Sequence, residues 1–126
     1  MAAGQDVGAA LVATLRTLLP AIAARGTALD DDRAFPVEEV AALRDIGMLT
    51  APLPRALGGS GLGMEPEGAA PLCKALRLIG RASLPLGRLY EGHVNALRLV
   101  LRYGSRVQSL SAARDAREGR LFGVWN

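Results

Sequence analysis

Four glycines lie within six residues of one another in the stretch GGSGLG, at positions 58–63. Glycine-rich loops of this kind are one way in which proteins bind a nucleotide phosphate. The spacing does not fit GxGxxG, and no GK[ST] follows. A dinucleotide loop also needs a strand before it and a helix directly after it, whereas here a helical pattern and TAPLP precede the glycines. The sequence favours a compact turn whose glycines allow positive φ and close backbone packing.

Two other groups of residues have side chains that perform acid–base or metal chemistry in other proteins. His93 is the only histidine, and it falls on an apolar helical face beside Tyr90, with no carboxylate or nucleophile placed near it by spacing. The three carboxylates of residues 30–32 are consecutive, so their side chains point in different directions around the backbone. Because they come just before Phe35 and Pro36, they indicate a solvated helix entry. The residues favour a hydrogen-bonded core histidine over a general base and give no catalytic constellation.

Length, cysteine count and the N-terminus set the broad class. The 126 residues are enough for about one domain around a single core. Cys73 is the only cysteine, so neither an internal disulfide nor a four-cysteine zinc site is possible, and a cytoplasmic location is the default expectation. The first 20 residues lack a basic leader, and Arg16 and Pro20 interrupt their apolar stretch, so we expect a soluble chain with neither signal peptide nor membrane span.

The net charge of +3 comes from basic residues that are almost all arginine, with Lys74 as the one lysine. They are scattered along the chain and are not interleaved with aromatic side chains, which argues against a nucleic-acid partner. Arg98, Arg102 and Arg106 are spaced four residues apart. Such a stripe is typical of a solvated or subunit-facing side of a helix.

The apolar periodicity predicts an all-α fold, an antiparallel bundle of four to five helices. Helix 1 covers 7–25, with Pro20 kinking or dividing it. Helix 2 begins near Pro36, has Val37, Val40, Leu43 and Ile46 as its apolar face, and ends in a left-handed cap at Gly47. Helix 3 opens at Pro66 and stops before Gly80.

Helix 4 has the longest apolar stripe, and Gly104 should end it. The stripe consists of Leu86, Leu89, Tyr90, His93, Val94, Leu97, Val100 and Leu101. Helix 5, residues 106–118, has only Val107 and Leu110 as sizeable anchors, so we expect it to be the least stable helix.

The last residues, GRLFGVWN, leave the helical pattern for an apolar run with β propensity. A strand needs a partner strand, and the sequence offers none. We therefore expect residues 1–120 to form a helical domain and residues 121–126 to be the remnant first strand of a further domain, at whose boundary the chain is cut.

The order and spacing of several stretches resemble the N-terminal helical domain of the acyl-CoA dehydrogenases over about residues 10–126. They are a proline within the first helix, acidic residues before FP, LRDIGML, a proline followed by GGSGLG, a histidine in the fourth helix before YGS, and LFGVWN. The resemblance implies a flavoenzyme with a helical N-terminal domain, a middle β-domain and a C-terminal bundle, which bind FAD and acyl-CoA between them. In that family the glycine-rich stretch is a turn between helices.

The reaction implied by the resemblance is α,β-desaturation of an acyl-CoA thioester. A carboxylate removes the α proton, the β hydrogen leaves as hydride to the flavin, and electrons pass to an electron-transfer flavoprotein. The full-length proteins of the family are homo-oligomers.

The start of the fourth helix lines the acyl pocket in the family. It matches Ser83, Leu86 and Tyr90 here, with His93 one turn on. The strand that opens the β-domain passes along the flavin, so Trp125 and Asn126 are the cofactor candidates.

The family's catalytic carboxylate and most of its FAD site have no counterpart in these 126 residues. We therefore expect the chain alone to be inactive and to bind FAD weakly or not at all. Two alternatives stay open: a catalytically inert helical interaction module, and the first domain of a related flavin oxidase or monooxygenase. The acyl chain length is not indicated.

Overall fold

The computed structural model describes the backbone of residues 2–125 and the side chains of residues 7–125. Within this part of the chain there are five α-helices and no strand, which confirms the predicted all-α fold. The helices are α1 (Ala2–Asp32), α2 (Val37–Asp45), α3 (Ala69–Ala82), α4 (Leu84–Tyr103) and α5 (Arg106–Arg117). Short 3₁₀ turns at Arg55–Leu57 and Pro66–Gly68 lie in the connection between α2 and α3.

The first helix is longer than the sequence predicts, because it continues through Pro20 to Asp32. It ends in a Schellman motif: the Arg33 amide donates to the Asp30 carbonyl (3.4 Å), and the Ala34 amide donates to the Leu29 carbonyl (3.3 Å). Arg33 takes the left-handed conformation (φ 52°) that glycine usually takes at this position. The predicted helix entry at residues 30–32 is therefore wrong, since these exposed carboxylates form the last turn of α1.

By length and composition alone, the part of α1 from Val7 to Asp32 could cross a membrane. In the apolar 18-residue part of this stretch, 22% of the residues are buried. The buried part includes Leu15 and Ile22, which belong to the main apolar core together with residues of α3 and α4. Packing within the bundle therefore accounts for these two apolar residues of the helix.

The second helix ends as the sequence predicts. Gly47 has φ 89°, its amide donates to Arg44, and the amide of Met48 donates to Leu43, so a second Schellman motif closes α2. The predicted apolar face is only partly correct: Leu43 is buried, whereas Val37 is 67% exposed.

The glycine-rich stretch is a compact turn, as predicted. Gly61 has φ 74°, and its amide donates to the Leu53 carbonyl at 2.8 Å. A Cβ at Gly59 would lie 2.0 Å from that same carbonyl oxygen, so only glycine fits there. The glycines thus fold residues 58–63 back onto residues 51–53, and no helix begins directly after them to cradle a phosphate.

The third and fourth helices form an antiparallel pair, because only Ser83 separates them and they pack together. Helix α3 starts after the 3₁₀ turn at Pro66 and continues past Gly80, where we predicted its end. A Cβ on Gly87 would lie 2.9 Å from the Gly80 Cα, so Gly87 allows the close approach of the two helices, whereas a Cβ on Gly80 would meet no neighbouring atom. Helix α4 ends before Gly104, as predicted.

Two apolar clusters make up the core. The main cluster joins α1, α2, α3 and the first half of α4 through Leu15, Ile22, Leu43, Met48, Ala75, Ile79, Leu86, Tyr90 and Val94. The second cluster joins α4 to α5 through Leu53, Leu97, Ala112, Ala113 and Ala116. The predicted anchors of α5 are wrong, since Val107 and Leu110 are 76% and 43% exposed. The helix packs on its alanines instead.

The C-terminal segment, residues 121–125, forms neither helix nor strand. Helix α5 ends in a Schellman motif at Gly119 (φ 87°), after which the chain returns towards α4. The predicted remnant strand is therefore not formed in residues 121–125, which have no partner strand among the described residues. Phe122 nevertheless packs against the second cluster.

Candidate functional site

Ser83 lies between α3 and α4 and serves as the N-cap of α4. Its hydroxyl oxygen accepts a hydrogen bond from the Leu86 amide at 3.3 Å, and Pro85 occupies the first turn, where its missing amide is not needed. Ser83 is half-buried and lines a cavity of about 310 Å³ that α1 and the start of α2 also border. It is the site candidate most accessible to a small molecule from this side of the bundle.

Leu86 and Tyr90 lie one turn apart on the buried side of α4. Both belong to the main cluster, with exposures of 1% and 0%. The Tyr90 hydroxyl donates to the Met48 carbonyl at 2.8 Å, and burial raises the pKa of this phenol above its usual range. Neither side chain lines the cavity beside Ser83. Tyr90 therefore serves as a neutral hydrogen-bond donor within the core.

His93 is fully buried, and both of its ring nitrogens have hydrogen-bond partners. Nε2 lies 2.7 Å from the Leu49 carbonyl oxygen, and Nδ1 accepts the amide hydrogen of Phe122 at 3.0 Å. Because a backbone amide only donates, Nδ1 must be unprotonated, and Nε2 must carry the proton given to Leu49. The expectation of a packed, hydrogen-bonded core histidine is confirmed.

Burial lowers the pKa of His93, and the hydrogen bond to the Leu49 carbonyl partly offsets this effect. The ring also packs between two aromatic side chains, with centroid distances of 6.2 Å to Tyr90 and 5.8 Å to Phe122. The imidazole is therefore neutral and has no free nitrogen with which to take a proton from a substrate.

A groove of about 560 Å³ lies between the outer face of α4 and the C-terminal segment. We call it the outer groove; its lining includes Leu99, Arg98, Arg102, Tyr103 and Phe122. The Arg102 guanidinium lies 5.7 Å from the Tyr103 ring centroid, within cation–π range. Among the ion pairs of the described residues, the groove contains Arg88 with Glu91 but none with the other two arginines. The outer groove is thus amphipathic and positively charged.

The structure brings only some of the predicted site residues together. Leu86, Tyr90 and His93 share the buried side of α4, and Ser83 caps the same helix. Trp125 is 98% exposed, and Asn126 lies outside the described residues. The sequence did not predict the outer groove or the hydrogen bond between His93 and Phe122. Both bring α4 together with the C-terminal segment, and no local spacing of residues indicates that contact. The arginine spacing was the one available indication of the groove.

The described residues contain no group of three or more histidine, cysteine or acidic side chains that could hold a metal ion. Comparison with protein families finds a match to the acyl-CoA dehydrogenase N-terminal domain over residues 9–111. The chain belongs to this family. Comparison with the curated proteins and with the solved structures finds no match to this chain. Proteins of this family are generally soluble.

The family depends on FAD in general. A flavin needs surfaces on both ring faces and partners for its polar edge and pyrophosphate. Trp125 has an exposed indole, which lines neither the outer groove nor the cavity beside Ser83. The indole of Trp125 is therefore not enclosed by either of these two surfaces.

Proposed function

We propose that this chain forms the N-terminal helical domain of an FAD-dependent, acyl-CoA dehydrogenase-like oxidoreductase that desaturates acyl-CoA thioesters between the α and β carbons. The match to the family over residues 9–111 carries the proposal. The order of helices supports it, with a glycine turn between α2 and α3 and a long buried α4. An electron-transfer flavoprotein as electron acceptor and a homo-oligomeric state follow from the same family relationship.

In this proposal, the first half of α4 provides one wall of the acyl pocket. Ser83 stands nearest the acyl chain, Leu86 and Tyr90 form the buried apolar layer beneath it, and His93 follows one turn on. An apolar wall suits this role because an acyl chain gains about 0.8 kcal/mol for each CH₂ removed from water. The hydrogen bond from Tyr90 to Met48 supports the wall by fixing the register of α4 against the chain after α2.

Trp125 and Asn126 form the edge of the flavin site in this proposal. The indole of Trp125 is free to be covered by a planar ring, which is consistent with such a role. The remaining flavin contacts and the carboxylate that removes the α proton would come from middle and C-terminal domains. The contribution of this chain is then to bind, orient and shield the acyl chain.

The acyl wall is tested in a chimera that joins residues 1–126 to the middle and C-terminal domains of a family member. Leu86→Ala enlarges the proposed pocket and should shift the preferred acyl chain to longer lengths. For substrates that differ by two carbons, the ratio of kcat/KM should change by about tenfold, since two methylenes are worth about 1.6 kcal/mol.

Leu97→Ala is the matched control for this test. Leu97 is equally buried on the same helix but lies in the second cluster, outside the proposed pocket. It should lower the melting temperature by a similar amount and leave the chain-length preference unchanged. If Leu86→Ala and Leu97→Ala had the same acyl chain-length preference, Leu86 would not belong to the acyl wall.

The cofactor proposal predicts that a polypeptide of residues 1–126 binds FAD weakly or not at all and is inactive. Titration with FAD, followed by flavin fluorescence, should show no saturable site at micromolar concentrations. A stoichiometric yellow protein that is reduced by an acyl-CoA would contradict the prediction. The same sample should self-associate less in sedimentation when residues 121–126 are removed, because Val124 and Trp125 are exposed apolar side chains.

A further inference from the structure

The position of the C-terminal segment depends on a contact that is remote in sequence. Among the hydrogen bonds of the described residues, one joins the backbone of residues 121–125 to the helical bundle: the Phe122 amide donating to Nδ1 of His93. The Phe122 ring adds an apolar contact to the second cluster, of which the five buried members include three alanines. Beyond Phe122 the segment is exposed through Trp125. Its attachment is therefore concentrated at one residue.

The other side of the His93 ring is fixed by the chain after α2. Nε2 donates to the carbonyl of Leu49, 44 residues away in sequence, while Nδ1 contacts a residue 29 positions away. The ring thus bridges two parts of the chain that no backbone hydrogen bond connects directly. It acts as a bridge only in the tautomer that carries its proton on Nε2.

Protonation of the ring would reverse the polarity of one side of this bridge. A proton on Nδ1 would face the amide hydrogen of Phe122, so the hydrogen bond would be replaced by two opposed donors. The bond to Leu49 would remain, because Nε2 is a donor in both states. Attachment of the segment therefore favours the neutral form of the His93 ring. Conversely, protonation of the ring favours release of the segment.

Few charged groups compete with this effect. On α4, Tyr90 is neutral, Glu91 pairs with Arg88 at the surface, and Arg98 and Arg102 line the outer groove with Phe122. Residues 48–53 carry no titratable side chain. Helix α5 buries alanines, and Arg120, which precedes the segment, pairs with Asp115 and Glu118. The causes of the lowered pKa of His93 are burial first, with the Leu49 carbonyl opposing it.

We propose that His93 is the positioning residue of the C-terminal segment: in its Nε2-protonated neutral form it holds Phe122 against α4, and protonation at Nδ1 releases residues 121–125 together with the indole of Trp125. This inference goes beyond the proposed function. It holds whether or not a flavin is the ligand of Trp125, and its tests use no flavin.

The sequence allows a direct test on the full chain, since it contains one histidine and one tryptophan. In ¹⁵N-histidine-labelled protein at pH 7.5, two-dimensional NMR should show the Nε2–H tautomer. As the pH falls, conversion to imidazolium should coincide with a loss of hydrogen-exchange protection at the Phe122 amide, measured relative to the intrinsic exchange rate at each pH, and with lower fluorescence anisotropy of Trp125. An Nδ1–H tautomer would overturn the proposal. So would titration of the ring without change at Phe122 or Trp125.

Two variants separate the two bonds of the ring. The side-chain oxygen of His93→Asn can replace Nδ1 as acceptor for Phe122, whereas the amide of His93→Gln can replace Nε2 as donor to Leu49. At pH 7.5 the Phe122 amide should exchange about tenfold faster in the Gln variant than in the Asn variant, because only the former lacks the acceptor. In neither variant should the exchange protection of the Phe122 amide or the anisotropy of Trp125 change between pH 7.5 and pH 5.5.

Equal exchange and equal anisotropy in the two folded variants would overturn the proposal. If either variant fails to fold, the tautomer and the coincident titration of the unmodified chain decide the matter alone. These measurements are independent of FAD and acyl-CoA, so their failure would leave the proposed enzymatic function standing. Conversely, an unchanged acyl preference of Leu86→Ala would not affect the role of His93.

Discussion

The two clusters of the core differ in the size of the side chains that form them. The main cluster contains leucine, isoleucine, methionine and tyrosine side chains from four helices or their ends, whereas three of the five buried members of the second cluster are alanines. Large side chains remove more apolar surface from water, at roughly 25 cal/mol per Å². Helix α5 and the C-terminal segment are therefore attached to the bundle by less apolar burial than α1 and α3.

Polar contacts partly compensate for the smaller apolar burial of the second cluster. The N-cap Ser105 and Gln108 form a reciprocal capping box at the start of α5. Near its end, the Arg117 guanidinium donates to the Leu57 carbonyl at 2.9 Å. Together with the bond between His93 and Phe122, these contacts hold α5 and the segment that follows it. The comparison teaches that this end of the molecule depends on hydrogen bonds that mutation or pH can remove.

The largest effect is expected at Leu97, the side chain of α4 that belongs to the second cluster and is completely buried. Leu97→Asp would bury an unpaired carboxylate, at a cost above about 4 kcal/mol, a large fraction of the stability of an ordinary domain. Circular dichroism should show an unfolded chain. Val107→Asp is the control, since that position is 76% exposed and should leave the melting curve unchanged. A folded Leu97→Asp variant would refute the assignment of α4 as the centre of the bundle.

A pair of truncations measures the difference between the clusters directly. Ile79→Ala in the main cluster should lower the free energy of unfolding by about 2–5 kcal/mol, through lost burial and the cavity left behind. Ala113→Gly in the second cluster should cost about 1 kcal/mol, mostly as helix propensity. Urea denaturation of both variants gives the two values. If Ala113→Gly cost as much as Ile79→Ala, the second cluster would not be the weaker one.

The sequence was a good guide wherever one stretch of chain contained the whole signal. The stripe of α4, the left-handed cap at Gly47 and the turn character of GGSGLG all follow from local spacing, and the structure confirms them. The end of α1 was missed because a non-glycine residue, Arg33, takes the left-handed conformation. The packing of α5 was missed because side-chain size suggested Val107 and Leu110, while close helix approach selected alanines.

The candidate site was less predictable than the fold. Burial of Leu86 and Tyr90 follows from the helical stripe, but their polar partners do not. The carbonyls that accept from Tyr90 and His93 belong to Met48 and Leu49, more than 40 residues earlier, and no pattern in the sequence joins them. The assignment of acyl and flavin contacts came from the family resemblance and remains a proposal.

A smaller effect is expected at the hydroxyl of Tyr90. Tyr90→Phe removes the donor to the buried Met48 carbonyl and should lower the free energy of unfolding by about 1–3 kcal/mol, the cost of leaving a buried polar group without its partner. Tyr103→Phe should cost almost nothing, because Tyr103 is 75% exposed. Equal urea midpoints for the two variants would mean that this hydrogen bond does not help to fix the main cluster.

The smallest effect is the pH dependence that His93 gives to stability. Burial places the pKa of His93 in the folded chain below the value of about 6.5 that it has when unfolded. Above pH 6.5 His93 is neutral in both the folded and the unfolded chain, so its contribution to the free energy of unfolding is fully present. Between the two pKa values the unfolded chain binds more protons, so the free energy of unfolding falls as the pH falls, by at most about 1.4 kcal/mol per pH unit. At pH values below the pKa of His93 in the folded chain, this residue causes no further change of the free energy of unfolding with pH. Urea denaturation from pH 8 to pH 5 should therefore show a decline in the unmodified chain that His93→Asn lacks, since the two proteins carry the same carboxylates. Parallel stability curves for the two proteins would show that His93 is not neutral and buried in the way that its bonds to Leu49 and Phe122 require.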